Sequence, residues 1–219
     1  MTWLGTKRVT TLACLVLAFS LLAAVPDAIA NPKVLTVGAL GGEEAAVADS
    51  LDGRIPPALS ATFASGIGNV NCESSLTGTV SGNPETGGGA KAATLSVFNW
   101  SFQNCTTTFP ANPAAIVTTR DLNYTMSVSD AAGLPITISK PGGKVKFEIE
   151  ILIGLGSCTY QATEIKGRFE NGTNKIAFAN QGIAKVAGAA FCPALFSFSA
   201  NYTPWEDVTF NPAKKVFVN

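Results

Sequence analysis

The 219-residue sequence contains no histidine. That excludes a Ser-His-Asp triad, a Cys-His dyad and any His-ligated zinc or copper site. Charge is scarce too. Only 14% of residues are charged, and 15 basic residues balance 15 acidic ones. Such a balance gives no electrostatic reason to expect a nucleic-acid partner or an acidic membrane surface. Close cysteine pairs of the C-x-x-C kind are missing, so neither a four-cysteine zinc site nor a dithiol redox motif is expected. No P-loop, dinucleotide fingerprint or calcium loop is present, so no cofactor is expected. Polarity comes instead from Ser, Thr, Asn and Gly, the composition of an extracellular β protein.

Residues 1–30 read as a signal peptide. Lys7 and Arg8 precede a largely apolar run from Leu12 to Val25, which Pro26 ends. Ala28 and Ala30 place small residues where a signal peptidase reads them, so cleavage is expected after Ala30. The run is shorter than the ~20 residues a spanning helix needs. Cys14 starts that run instead of following it, which argues against a lipoprotein signal. No later segment is long and apolar enough to span a bilayer as a helix. The expected location is secreted, or extracellular.

Four cysteines then remain: Cys72, Cys105, Cys158 and Cys192. An even count in an exported chain implies two disulfides, with three connectivities open. The steps Cys72 to Cys105 and Cys158 to Cys192 are nearly equal, and the segments they bracket share an outline. Each has a Thr-bearing strand, a Gly/Asn turn (Ser81–Pro84; Glu170–Gly172) and an apolar strand with Phe98-Asn99 or Phe178-Ala179-Asn180. This favours sequential pairing, Cys72–Cys105 and Cys158–Cys192, within a weak internal duplication. Each bridge is expected to stabilise the fold by about 3–4 kcal/mol.

From Leu59 onward the period-two pattern of half-buried strands recurs. Val145, Phe147, Ile149, Ile151 and Ile153 oppose Lys144, Lys146, Glu148 and Glu150. Cys72, Leu76 and Val80 share a face, as do Tyr124, Met126 and Val128, and Phe196, Phe198, Ala200 and Tyr202. Turn residues separate the runs: Gly87–Gly89, Asn112-Pro113, Ala132-Gly133, Pro141–Gly143 and Asn171-Gly172. The expected fold is all-β: an antiparallel β-sandwich, with a barrel as the alternative. The phase changes between Leu95/Val97 and Phe98/Trp100/Phe102, which predicts a bulge or a strand buried on both faces. The expected organisation is a signal peptide (1–30), a loosely ordered N-terminal arm (31–57) with one edge strand within Val34–Leu40, the β-sandwich domain (58–205) and a C-terminal tail (206–219).

These features resemble a group of exported actinobacterial proteins of unknown function. The resemblance rests on Val47-Ala48-Asp49-Ser50-Leu51, the Cys72 strand running to Ser81–Pro84, and Ser101–Thr106. It continues through Cys158-Thr159-Tyr160, Ile176–Gln181, Phe191-Cys192 and Phe198–Tyr202. It covers most of residues 46–204 but consists of framework positions. It implies the fold and export, and no activity.

Candidate chemistry is sparse. Glu148 and Glu150 lie on one strand face about 7 Å apart, a separation on the scale of a glycosidase pair, yet alternating charge on an outer strand face is ordinary. Ser139 with Lys140, and Ser127 or Ser129 near Asp130, lack the framing of a nucleophile. Trp100, Trp205, Tyr202, Phe109 and Phe210 are candidates for a sugar- or lipid-stacking surface, with Trp205 and Tyr202 as the binding residues and Trp100 favoured for the core. Asn-x-Ser/Thr triplets begin at Asn99, Asn104, Asn123, Asn171 and Asn201, near chance for this composition.

The function expected from these features is non-enzymatic: a binding or structural module of a bacterial envelope or its surroundings. Its partner would be an envelope glycan, lipid or protein. The rival readings are a carboxylate-dependent glycan-active enzyme and a carrier of a small apolar ligand.

Overall fold

The computed structural model describes residues 31–109, 114–151 and 156–219, and residues Asn31–Asn219 make one compact unit. In chain order the strands are β1 (Leu35–Val37), β2 (Glu43–Glu44), β3 (Ser50–Arg54), β4 (Ala61–Ser65), β5 (Gly68–Gly82), β6 (Ala92–Thr107), β7 (Ile116–Arg120) and β8 (Tyr124–Ser129). They continue as β9 (Pro135–Ser139), β10 (Val145–Glu150), β11 (Cys158–Ala162), β12 (Glu164–Glu170), β13 (Lys175–Ala187), β14 (Leu195–Tyr202), β15 (Trp205–Asp207) and β16 (Lys214–Val218). The described residues contain no helix, so none of them forms a helix that could cross a membrane.

Eight strands close a ring of antiparallel pairs in the order β4-β5-β6-β8-β9-β12-β13-β14 and back to β4. The all-β expectation holds in its barrel alternative. Closure depends on the five-residue β4, which hydrogen-bonds on both edges. Ala61 pairs with Cys72 of β5 on one side, and Phe63 pairs with Phe198 of β14 on the other.

Two long strands carry branches. Beyond β4, the free edge of β5 pairs with β3, and the sheet continues through β15, β16 and β1 to β2. The first part of β13 pairs with β12 and its last part with β11, from which the sheet continues to β10 and β7. β7 then leans on β6, where the Thr119 hydroxyl donates to the Trp100 carbonyl at 2.7 Å.

Inward residues follow the expected alternation. Val145, Phe147, Ile149 and Ile151 are buried, and so are Cys72, Leu76 and Val80; Ile153 lies outside the described residues. The predicted phase change in β6 is a bulge. The register passes from Thr77↔Asn99 to Gly78↔Val97, leaving Phe98 as the extra residue, 47% exposed, between buried Val97 and Trp100. Four of the five turn signals join consecutive strands as expected, and Asn112-Pro113 lies outside the described residues.

The strand expected within Val34–Leu40 is present as β1, paired on both sides and not at an edge, and the rest of the segments expected as an arm and a tail contributes further strands to the same sheet. β1 lies between β16 and β2, with Leu35 opposite Val218, and Val34, Leu35 and Val37 are buried. The Asn83 amide fastens this segment, accepting from Leu35 N and donating to the carbonyls of Leu35 and Ala45, each at 2.8 Å. Three residues are too short a run to display a period, and their partner strand lies at the far end of the sequence.

Both disulfides pair as expected, Cys72–Cys105 and Cys158–Cys192. The proposed duplication does not extend to topology. The first bridge joins the neighbouring strands β5 and β6, whereas the second joins the start of β11 to the β13–β14 loop.

Gly53 is fixed by a close approach. A Cβ there would lie 2.4 Å from Cε3 of the Trp205 ring. Trp205 cannot retreat easily: it is 1% exposed, and its backbone N–H donates to Asn174 Oδ1 at 2.9 Å. Gly53→Ala is therefore expected to lower the unfolding free energy by about 1–3 kcal/mol. A urea midpoint unchanged from wild type would show that the ring has room to move.

Candidate functional site

The two residues expected to bind a ligand lie in the core. Tyr202 is 0% exposed and Trp205 is 1% exposed, so neither offers a stacking face. Tyr202 ends the inward series of β14, and Trp205 packs on Gly53. Trp100 and Phe109 are also buried, and the half-buried Phe210 lies under the Lys214 ammonium at 3.7 Å. The Tyr202 hydroxyl accepts from Trp100 Nε1 at 2.7 Å and shares a 2.9 Å hydrogen bond with Ser74 Oγ. Burial pushes its pKa far above the ordinary tyrosine range. This triad satisfies three polar groups that would otherwise be orphaned inside the barrel.

Ser74 leads outward to a cleft of about 390 Å³. One wall is the turn after β3, where Ile55 N donates to the Ser74 carbonyl at 3.0 Å and Pro57 supplies an apolar rim. Proline cannot donate to a ladder, so Pro56 and Pro57 end β3 and lift the chain off β5. The other wall is the outer face of β5 and β6. Ser75 and Ser101 are register partners with hydroxyls 2.8 Å apart, and Glu73 is opposite Gln103. Asn104, at a positive φ of 48° beside Cys105, donates to Glu73 Oε2 at 2.8 Å. Arg54 stands at the edge with its guanidinium 2.9 Å from Asp52. The Gln103 side chain makes no hydrogen bond among the described residues, so its amide is available to a ligand.

The cleft therefore offers hydroxyls, one amide and one charge of each sign. Among the described residues it contains no nucleophile paired with a base. Four of the earlier catalytic candidates are occupied elsewhere. Glu148 is ion-paired with Arg120, and hydrogen bonds from Ser157 and Arg120 hold its carboxyl below the usual glutamate range. Lys140 donates to the carbonyls of Asp121 and Leu122 at 2.9 Å. Ser129 and Asp130 both serve Lys91, through its carbonyl at 2.8 Å and its N–H at 2.6 Å. Among the described residues no three Cys, Asp or Glu side chains form a metal-binding group.

A second, shallower groove of about 440 Å³ crosses the outer wall of β12, β13 and β14. It carries Lys166, Arg168 and Lys175, but each is neutralised: Lys166 by Glu164 at 2.7 Å, and the other two by Glu170 at 2.9 and 2.8 Å. Lys175 and Arg168 push the Glu170 carboxyl down to about 2. The first cleft has the freer donors and acceptors.

None of Arg54, Glu73, Ser75, Ser101 and Gln103 was singled out as a binding residue in the sequence, although all but Arg54 lie in segments that carry the resemblance. All are polar residues of an ordinary strand surface, and only the β5–β6 register sets them side by side. No family model, curated protein or solved structure matches the chain.

Proposed function

We propose that the protein is an exported, non-enzymatic binding module of a bacterial envelope or its surroundings, taking a polyhydroxylated ligand of the glycan class in the cleft above Ser74. One observation carries this reading. The cleft combines paired hydroxyls, the free Gln103 amide and the Glu73 carboxylate with an apolar rim at Ile55 and Pro57. Sugars need that mixture of donors, acceptors and one dry edge. Two disulfides fit an oxidising compartment, and the export-like first thirty residues fit with them. The resemblance to exported actinobacterial proteins supports the same location.

The rival readings have less support. A glycan-cleaving site needs two carboxyl groups across the bond, and among the described residues Glu73 is the only acid lining this cleft. An apolar carrier needs an empty interior, but the rings of Phe63, Trp100, Phe102, Phe147 and Phe198 meet at centroid distances of 5.0–6.2 Å.

Titration calorimetry against soluble cell-wall glycan fragments tests the proposal. Gln103→Ala and Glu73→Ala are each expected to weaken binding about tenfold, the loss of one or two hydrogen bonds. Binding indifferent to both changes, or no binding to any fragment, overturns it. Release of reducing ends that Glu73→Gln abolishes would favour the enzyme instead.

A further inference from the structure

We infer that Asp49 and Asp207 share one proton across the junction between β3 and β15, and that this proton holds the terminal strands in place. Asp207 is 0% exposed, and its Oδ2 has no hydrogen-bond donor among the described residues. Its other oxygen, Oδ1, accepts from Thr209 N at 2.9 Å. A buried carboxylate oxygen left without a donor is costly, and few survive in native proteins.

The backbone brings Asp49 to this oxygen. Asp207 is the register partner of Leu51, while Val208 N donates to the Ser50 carbonyl and Ser50 N donates to Thr209 Oγ1, both at 2.9 Å. Asp49 is fixed in turn. Its Oδ2 accepts from Ala46 N at 2.6 Å, and its carbonyl accepts from Val80 N at 2.9 Å. In the antiparallel register Asp49 lies two residues before Leu51 on the face that Asp207 shares, and its carboxyl acts on Asp207 as a neighbouring like charge. A second carboxylate beside it makes the buried Asp207 costly to leave charged, and one proton between the two gives the orphaned oxygen its donor.

No cation nearby does this work. Lys214 is opposite Asp207 in register, but its ammonium lies 2.7 Å from Glu43 and over the Phe210 ring. On β3, Asp52 is taken by Arg54 and by Thr77 at 2.7 Å. Glu206 and its register partner Lys215 alternate to the opposite face. The facing residues of β5, Thr79 and Val80, carry no charge. A metal ion is a poor occupant, because calcium takes six to eight oxygens and only one from each carboxylate is uncommitted.

Burial holds the Asp207 carboxyl above the ordinary aspartate range; the Thr209 hydrogen bonds oppose this shift, and Asp49 adds to it. The folded protein therefore keeps a proton that the unfolded chain releases. Stability is greatest below the unfolded aspartate pKa and falls as pH rises through the folded one.

Denaturant unfolding of the full protein between about pH 4 and 8 tests this, comparing wild type with Asp207→Asn and Asp49→Asn. The wild-type folded-to-unfolded ratio is expected to fall by up to about tenfold per pH unit across the titration. An amide at position 207 donates permanently, so Asp207→Asn should remove that component of the slope and be more stable than wild type at the upper end. Asp49→Asn should flatten the profile in the same way, and it carries the test should Asp207→Asn fail to fold. A wild-type slope retained in both variants overturns the proposal. So does a rise in the wild-type midpoint with added calcium chloride that Asp207→Asn lacks, because the occupant would then be a cation.

Discussion

Phe198→Ala is expected to lower the unfolding free energy by about 3–5 kcal/mol. Phe198 is 0% exposed at the middle of β14, hydrogen-bonded to β13 on one side and β4 on the other. Its ring is 5.0 Å from Phe63, 5.7 Å from Trp100 and 6.0 Å from Phe147, with Phe102 and Phe178 both at 6.2 Å. Those five neighbours come from β4, β6, β10 and β13. A closed ring of strands cannot move inward on one side without straining the other, so the void left by Phe198→Ala should stay largely open. The cost then includes a cavity contribution as well as lost transfer free energy. Phe198→Leu keeps most of the volume and should lose roughly half as much. Urea unfolding followed by tryptophan fluorescence measures both. A midpoint shift at constant slope is expected, and a loss below about 1 kcal/mol for the alanine variant would mean that the barrel collapses around the site.

The same cluster marks how far the sequence can be read. Its members sit in runs whose alternation was plain, such as Val145 to Ile151 and Phe196 to Tyr202, because one buried face imposes a period of two. The bulge at Phe98 was legible for the same reason, as a change of phase within one run. Ring closure was not legible. It requires β4 to pair with β14, some 130 residues later, and no local pattern encodes a partner at that distance. β15 and β16 were missed, and β1 was expected only as an edge strand, because runs of three to five residues carry little periodicity. Trp205 was misplaced because an aromatic residue beside a proline looks the same whether it caps a core or faces solvent, and Tyr202 was misplaced although its alternation with Phe196, Phe198 and Ala200 pointed inward. The cleft was the least visible feature. Its residues come from the end of β3, from β5 and from β6, and they converge only through register and the bulge at Asn104.

Removing the Cys72–Cys105 bridge by replacing both cysteines is expected to cost about 2–5 kcal/mol and leave Cys158–Cys192 intact. The bridge closes a sequence separation of 33, for which the chain-entropy account gives about 4 kcal/mol. In the folded state β5 and β6 already pair along most of their length, so the bridge adds little there. Its effect lies in the unfolded chain, and the denaturant slope should rise as that chain expands. Cys158–Cys192 tests the account, because its separation of 34 is nearly the same while its setting differs. It ties a strand start to a loop, against Gly188, whose missing Cβ would be 2.9 Å from Cys192 Sγ. If chain entropy dominates, the two double replacements should agree within about 1 kcal/mol. If native contacts dominate, the second should cost clearly more, since β11 and the β13–β14 loop have fewer hydrogen bonds to hold them. Cys72→Ala alone should be worse than the first pair, because the half-buried Cys105 thiol can then attack the remaining bridge. Non-reducing peptide mapping would detect that exchange as a Cys105–Cys158 or Cys105–Cys192 peptide, and its absence after prolonged incubation at alkaline pH would show that the folded barrel keeps the two sulfur sites apart.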